Sequence, residues 1–210
     1  MIYLAKTPNW IKKLFPEHIW DMKSVNNAIY LTFDDGPHPI ITPFVLDQLQ
    51  KYNAKATFFC IGKNVVDQPV IFKRILDEGH AVGNHTYDHL DGWKTGNAEY
   101  LQNFLNARNY IDSDLFRPPY GRITPKQQKD LMKHHKAIKI IMWSVLSGDF
   151  DKNITPENCC KNVLQNTVSG SVVVFHDSEK ADERLRHTLP VVLKYFSEKG
   201  YIFEKIVLDS

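Results

Sequence analysis

Short apolar runs alternate along the chain with longer segments whose apolar positions recur at helical spacing. The short runs predict strands, because they are rich in β-branched and aromatic residues, and the longer segments predict helices. Thr-Pro pairs mark helix starts, and Gly79 marks a helix end. The predicted strands are 28–33, 56–61, 81–83, 115–117, 138–143, 171–175 and 202–208, and the predicted helices are 42–52, 69–78, 99–110, one from Thr124-Pro125, one from Thr155-Pro156, and 184–199 with a bend at Pro190.

This alternation predicts the α/β class, with parallel strands joined by crossover helices. Two architectures fit, an open doubly wound sheet and a closed barrel. Polar residues follow most of the predicted strands. In an open sheet distant strand ends would be separated by roughly 15–20 Å, whereas metal bonds are only about 2 Å long. If these residues share one site, the fold is a distorted, nearly closed (β/α)7 barrel.

We expect residues 28–210 to form this barrel domain and residues 1–27 to form an N-terminal segment that packs on it. Trp10, Phe15 and Trp20 are the residues expected to make that contact. No secretory signal precedes them, so we expect a cytoplasmic location. Three cysteines make no disulfide framework, which favours a reducing compartment.

Composition narrows the class of partner. The chain is 43% hydrophobic and 24% charged, as soluble globular proteins are. Its net charge of +2 is spread without a basic stripe, which argues against nucleic acid as a partner. No apolar stretch is long enough to span a bilayer, so no integral membrane segment is expected.

Two successive carboxylates, Asp34 and Asp35, follow the first predicted strand within Thr32–Pro37. Asp-Gly and Gly-Pro both favour turns, and an isolated Asp-Gly-Pro would be interpreted as a turn only. Two adjacent acids at a barrel mouth, however, would repel each other and resist burial unless a cation neutralised one of them. This motif therefore indicates a metal site or a general base.

Two histidines four residues apart, His85 and His89, follow the third predicted strand. Residues at this spacing share a helix face, so we expect both imidazoles to bind one metal from a helix. The spacing is not the zincin motif, because Thr86 stands where that motif has its glutamate. A base must come from elsewhere, and the paired aspartates offer one.

Two further strand ends carry candidate residues. Arg117 begins the rigid segment Arg117–Gly121, where its guanidinium could orient a carboxylate or simply be solvated. His176 ends a strongly apolar strand, where a histidine is either structural or catalytic.

Taken together, these motifs resemble the five successive motifs of polysaccharide deacetylases, the carbohydrate esterases with a NodB homology domain. The resemblance runs in order from about Tyr30 to Phe203. It rests on Thr32–Pro37, His85–His89, Arg117–Gly121, Trp143–Phe150 and Val174–His176.

The resemblance implies roles for individual residues. It implies one divalent metal, usually zinc, with cobalt or nickel as alternatives. It also implies a general base that an arginine positions, and a separate general acid. Substrate contacts would come from the apolar and aromatic members, and a backbone N–H near the tyrosine would hold the oxyanion. The implied metal ligands are Asp35, His85 and His89; the implied catalytic residues are Asp34 as base, Arg117 and His176 as acid; and the implied substrate-binding residues are Tyr120, Trp143, Phe150 and Val174.

The fourth motif departs from the family pattern. Leu146 stands where the family has an aspartate, and Phe150 where it has tryptophan, whereas Trp143 and Asp149 match. The missing carboxylate would tune the catalytic histidine. We therefore expect weaker tuning of His176, with Asp149 as the substitute partner or as a scaffold for its loop.

The predicted activity is metal-dependent removal of acetyl groups from N-acetylated sugars of an acetylated polymer or oligomer, such as peptidoglycan, chitin fragments or poly-N-acetylglucosamine. Three alternatives remain: an O-acetyl esterase on xylan-like polymers, a degenerate relative that binds metal and carbohydrate without catalysis, and a small cyclic amide hydrolase. A glycosidase is disfavoured, because it needs two carboxyl groups roughly 5–9 Å apart across a glycosidic bond.

Overall fold

Strands and helices alternate along the computed structural model, which describes residues 4–23 and 26–208. The described strands are β1 (Ala28–Asp34), β2 (Thr57–Cys60), β3 (Ala81–Asn84), β4 (Leu115–Phe116), β5 (Lys139–Ile140), β6 (Val145–Leu146), β7 (Val172–His176) and β8 (Ile202–Phe203). The described helices are α1 (Asn9–Leu14), α2 (Ile41–Lys51), α3 (Gly62–Asp67), α4 (Pro69–Asp77), α5 (Asn97–Arg108), α6 (Pro125–His134), α7 (Pro156–Asn166) and α8 (Asp182–Glu198), with a short 3-10 turn at Pro119–Gly121.

The strands pair in parallel in the order β5-β4-β3-β2-β1-β7-β6, with β8 beside the start of β1. β5 and β6 stand at opposite ends of this order, yet they are consecutive in the chain and separated only by 141–144. The sheet therefore curls round until its two ends meet through one chain segment. This confirms the predicted nearly closed α/β barrel.

The single strand predicted over 138–143 is wrong. Residues 139–140 pair with β4, whereas 145–146 pair with β7, so the segment changes partner and bends between the two. The N-terminal segment covers this bend. The N–H of Ile19 donates to the carbonyl of Ile140, and the N–H of Thr7 donates to that of Ser144, both at 2.9 Å. Of the aromatic residues expected to pack here, Trp20 is buried, whereas Trp10 and Phe15 are exposed.

Along each barrel strand, alternate side chains point outward to the helices or inward to the barrel interior. Leu31 and Phe33 of β1 pack outward with the helices, together with Phe175 of β7. The alternate positions face the barrel interior, where Tyr30 packs with Val172. The same alternation places the last residues of β1 and β7 at the inner mouth of the barrel.

The helix boundaries show where local signals were sufficient. Thr124 caps α6 with a full capping box, as its Thr-Pro start predicts, and Thr155 caps α7. Thr42, in contrast, does not cap α2, which begins one residue earlier at Ile41. α1 and α3 were not predicted, because six residues are too few to show a helical period. None of the described helices combines the length and apolarity needed to cross a bilayer.

Candidate functional site

The three predicted metal ligands come together at the carboxyl ends of β1 and β3. The ligand atoms of Asp35, His85 and His89 all lie within 4.8 Å of one another. Asp35 Oδ1 is 3.2 Å from Nε2 of His89 and 3.8 Å from Nε2 of His85. The carboxylate and the His85 ring are buried, and the His89 ring is partly exposed.

The two histidines do not share a helix face, so that part of the prediction is wrong. They lie in an irregular loop after β3, in which Thr86 and His89 have positive φ angles of 62° and 58°. Their rings nevertheless approach to 5.0 Å between centroids. Side chains stabilise this loop in place of helical carbonyls: Asn84 accepts from the N–H of Thr86, and Asn103 of α5 accepts from the next two N–H groups.

Asp35 has the features of a ligand that faces a cation. Its φ angle of 83° lies in the left-handed region, which brings its carboxylate to the same mouth as that of Asp34. Oδ2 accepts from Lys180 Nζ at 2.8 Å and Ser178 Oγ at 3.1 Å. Oδ1 is buried and accepts no hydrogen bond within residues 4–23 and 26–208. Burial would raise the pKa of Asp35, but the adjacent His89, together with His176 and Lys180, holds it well below its usual value.

A backbone acceptor orients the buried histidine. Nδ1 of His85 lies 2.7 Å from the carbonyl oxygen of Arg117. A carbonyl can only accept, so Nδ1 carries the proton and Nε2 presents its lone pair toward Asp35. Burial lowers the pKa of His85 to about 4, which keeps the ring neutral. A neutral imidazole with its other nitrogen held by an acceptor is the usual form of a metal-ligating histidine.

Asp34 forms a buried ion pair with Arg117. Arg117 Nη1 donates to Asp34 Oδ1 at 2.6 Å and to Thr32 Oγ1 at 2.7 Å. Its Nε and Nη2 donate to the carbonyls of Ile141 and Met142. Arg117 is fully buried, so these acceptors fix its position and, through it, the orientation of the carboxylate.

His176, at the end of β7, has a carboxylate partner. Its Nδ1 lies 2.7 Å from Asp149 Oδ1, and its backbone N–H donates to Asp149 Oδ2 at the same distance. Burial alone would lower the pKa of His176, but the carboxylate of Asp149 raises it to about 9. His176 lies beside Asp34 in the β1–β7 register, so the predicted acid and base are neighbours.

Comparisons with known proteins agree with this site. Residues 22–137 match the polysaccharide deacetylase family model. A peptidoglycan-N-acetylglucosamine deacetylase of Bacillus cereus is 33% identical over 190 residues, covering 88% of both chains. The chain belongs to the polysaccharide deacetylase family. The predicted membership in this hydrolase family is thereby confirmed.

Other members of the polysaccharide deacetylase family show how far the similarity extends. A second deacetylase of the same name from Bacillus cereus is 38% identical over 156 residues, which cover 71% of this chain and 56% of the relative. A solved peptidoglycan N-acetylglucosamine deacetylase superimposes with a TM-score of 0.84 at 32% identity, covering 95% of each chain. The chain thus spans little more than half of one relative and nearly all of two others.

The remaining residues implied by the family resemblance surround the same mouth. Val174 is buried beside Leu146 in the β6–β7 register. The Phe150 and His176 rings meet edge to face, 5.2 Å apart between centroids. Trp143 is half-buried beneath Gly121, where a Cβ atom would come within 2.7 Å of the indole. Tyr120 is 55% exposed, with its ring 4.7 Å from that of His89.

The sequence analysis missed three residues that hold Asp35 or its loop. Lys180 and Ser178 bind the second oxygen of Asp35, and no sequence pattern marks them. Asp177 is fully buried and accepts from the N–H of Gly36 and the hydroxyl of Thr42. It therefore ties the loop after β1 to the end of β7. The sequence did contain a signal for Asp177: it directly follows His176 and is therefore a second polar residue at the end of a predicted strand.

Proposed function

We propose that this protein is a metal-dependent hydrolase that removes acetyl groups from N-acetylglucosamine units of a polysaccharide or oligosaccharide. The observation that carries the proposal is the juxtaposition of Asp34 and His176 beside the Asp35, His85 and His89 group. Family relatives support it, since they are named peptidoglycan-N-acetylglucosamine deacetylase and chitooligosaccharide deacetylase. Both names refer to acetylated glucosamine polymers.

Asp35, His85 and His89 would hold the divalent cation, and the unpartnered Oδ1 of Asp35 fits such a ligand. One carboxylate oxygen and two imidazole nitrogens suit zinc, and also cobalt or nickel. The chemistry that such a cation supplies when bound is Lewis-acid chemistry toward water and the acetyl carbonyl.

The chain's own residues account for the proton transfers. Asp34, held by Arg117, takes a proton from the water whose oxygen bonds to the acetyl carbon. The C–N bond then breaks, and His176 gives its Nε2 proton to the departing nitrogen, because an amine anion is a very poor leaving group. Acetate and a free amino sugar result. Asp149 favours the protonated form of His176 that this step requires.

Acetate release from a panel of substrates tests the proposal. The panel contains N-acetylglucosamine oligomers, isolated peptidoglycan strands and acetylated xylan, each incubated with zinc-loaded protein and with Asp34→Asn as the inactive control. We expect acetate from the two N-acetylated substrates and much less from xylan. Acetate from xylan alone would replace the proposal with an O-acetyl esterase, and no acetate from any substrate would contradict it.

A further inference from the structure

An exposed cluster of aromatic residues lies next to the proposed site. It consists of Trp93, Tyr120 and Arg122, here called the aromatic rim. The indole of Trp93 is 66% exposed and the ring of Tyr120 is 55% exposed. The guanidinium carbon of Arg122 lies 5.0 Å from the centroid of the Trp93 ring and 5.7 Å from that of Tyr120. The guanidinium of Arg122 therefore contacts both aromatic rings.

The aromatic rim is continuous with the predicted metal ligands. The Tyr120 ring contacts the His89 ring at 4.7 Å between centroids. Trp93 follows His89 by four residues in the same loop. A ligand that extends from the site past His89 would therefore meet Tyr120 first and then the rest of the rim.

The loop that carries Trp93 is held in place although its indole is exposed. Buried Gln127 donates to the carbonyls of Gly92 and Thr95, at 2.8 and 3.1 Å. The backbone N–H of Trp93 donates to Asp91 Oδ1 at 3.0 Å. An indole that projects into solvent from a fixed loop is prepared to bind a ligand with little loss of conformational entropy.

The charge of the rim favours a neutral ligand. Arg122 Nη1 donates to Asp91 Oδ2 at 2.5 Å, which offsets the positive charge of Arg122. Its remaining N–H donors make no other side-chain hydrogen bond within the described ranges 4–23 and 26–208. A pyranose ring suits this surface, because its C–H face can stack on an aromatic ring while its hydroxyl groups accept from an arginine.

We propose that the aromatic rim is a subsite that binds a neighbouring sugar unit of the substrate, stacked on Trp93. Trp93 determines preference for longer oligomers, and Arg122 is a positioning residue that holds the two rings. This inference rests on the proposed function, since it assumes that the sugar undergoing deacetylation is part of a chain.

Chain-length dependence tests the subsite. Zinc-loaded wild type, Trp93→Ala and Trp93→Phe are compared on N-acetylglucosamine oligomers of one to five units. The matched control is Trp10→Ala, because Trp10 is 65% exposed on α1. We expect Trp93→Ala to lose about 10-fold in kcat/KM on the pentamer, mainly through KM, with no change on the monomer. Trp93→Phe should retain most of the preference, and Trp10→Ala should match wild type.

A binding measurement separates this inference from the proposed function. In an Asp34→Asn background, tryptophan fluorescence is titrated with the pentamer. Because Trp143 at the site also reports binding, the change should be clearly smaller in Trp93→Phe, whereas it should keep its full size in Trp10→Phe. If wild type releases acetate but Trp93→Ala keeps the wild-type length dependence, the subsite is wrong and the proposed function stands. If Trp93-dependent binding occurs without any acetate release, the proposed function is wrong and the subsite stands. Absence of both would overturn both.

Discussion

The two halves of the site are stabilised in opposite ways. In the base and acid half, each charged group has a partner: Asp34 pairs with Arg117, and His176 pairs with Asp149. In the metal-ligand half, the buried Oδ1 of Asp35 faces two imidazole nitrogens and has no hydrogen-bond donor in the described parts of the chain. Every charge of the first half is thus paired within the chain, whereas the second half leaves one carboxylate oxygen without a donor, as a cation ligand would be.

The two halves also differ in backbone conformation: positive φ angles occur in the metal-ligand half. Asp35, Thr86 and His89 have positive φ angles, and so does Tyr120 beside them. Asp34, Asp149 and His176 have none: Asp34 and His176 end strands, and Asp149 lies in a turn three residues after β6. Left-handed non-glycine residues are costly and persist where surrounding contacts impose them. We infer that metal binding acts mainly on the second half, and the following predictions test this division.

The largest effect is expected from loss of a metal ligand. His89→Ala should abolish zinc binding and hydrolysis, because two protein ligands leave the cation weakly held. Zinc should stabilise wild type by about 2.7 kcal/mol at 100 times its Kd. This would be measured as a rise in Tm on adding zinc, together with metal stoichiometry. His134→Ala, at an exposed histidine of α6, is the control. A zinc-dependent rise in Tm that survives in His89→Ala would contradict the assigned ligands.

The next effect concerns the base. Asp34→Asn should reduce kcat by about 10²–10⁴-fold, the usual contribution of a general base. Zinc stoichiometry should stay at the wild-type value, because Asp34 is paired with Arg117 and not with the histidines. The measurements are acetate release and elemental analysis of the same preparation. Loss of zinc together with activity would show that the two aspartates have the reverse roles.

A smaller effect is expected on the pH profile. Asp149 raises the pKa of His176 to about 9, so kcat/KM should fall as pH rises through this value and the acid loses its proton. Asp149→Asn removes the carboxylate but keeps the burial that lowers the pKa, so the basic limb should move to lower pH. Leu146→Asp, which adds a carboxylate near Val174, should move it to higher pH. An unchanged basic limb in Asp149→Asn would leave Asp149 as a scaffold only.

The smallest effect concerns Lys180. Its ammonium binds Asp35 Oδ2, and Ser178 also holds that oxygen. Lys180→Met should therefore leave Asp35 oriented while removing a positive charge that repels the cation. Zinc affinity should rise by less than about 10-fold, and less at high salt, because Lys180 is partly exposed and its field is screened. Competition titration with a chelator measures this, with Lys51→Met on α2 as control. A fall in affinity would instead show that Lys180 orients Asp35.

The histidine loop illustrates the limit of inference from sequence. The spacing of His85 and His89 correctly predicted that they meet, but for the wrong reason, since the loop is not helical. Asn84 and Asn103 hold the loop in the shape that brings the two histidines together, and Asn103, on α5, accepts from two of its N–H groups. No local pattern links an asparagine to a loop so many residues before it, so this contact could not be predicted.

The sequence by itself determined the α/β class, the capped starts of α6 and α7, and the placement of polar residues after strands, because these depend on local periodicity and nearest neighbours. Only the tertiary structure showed which further residues reach them. It bent 139–146 so that the sheet closes, brought Lys180 to Asp35, and placed Arg122 between the rings of Trp93 and Tyr120. The contacts of Lys180 with Asp35 and of Arg122 with Trp93 join residues distant in the chain, so their energies exist only once the barrel has formed.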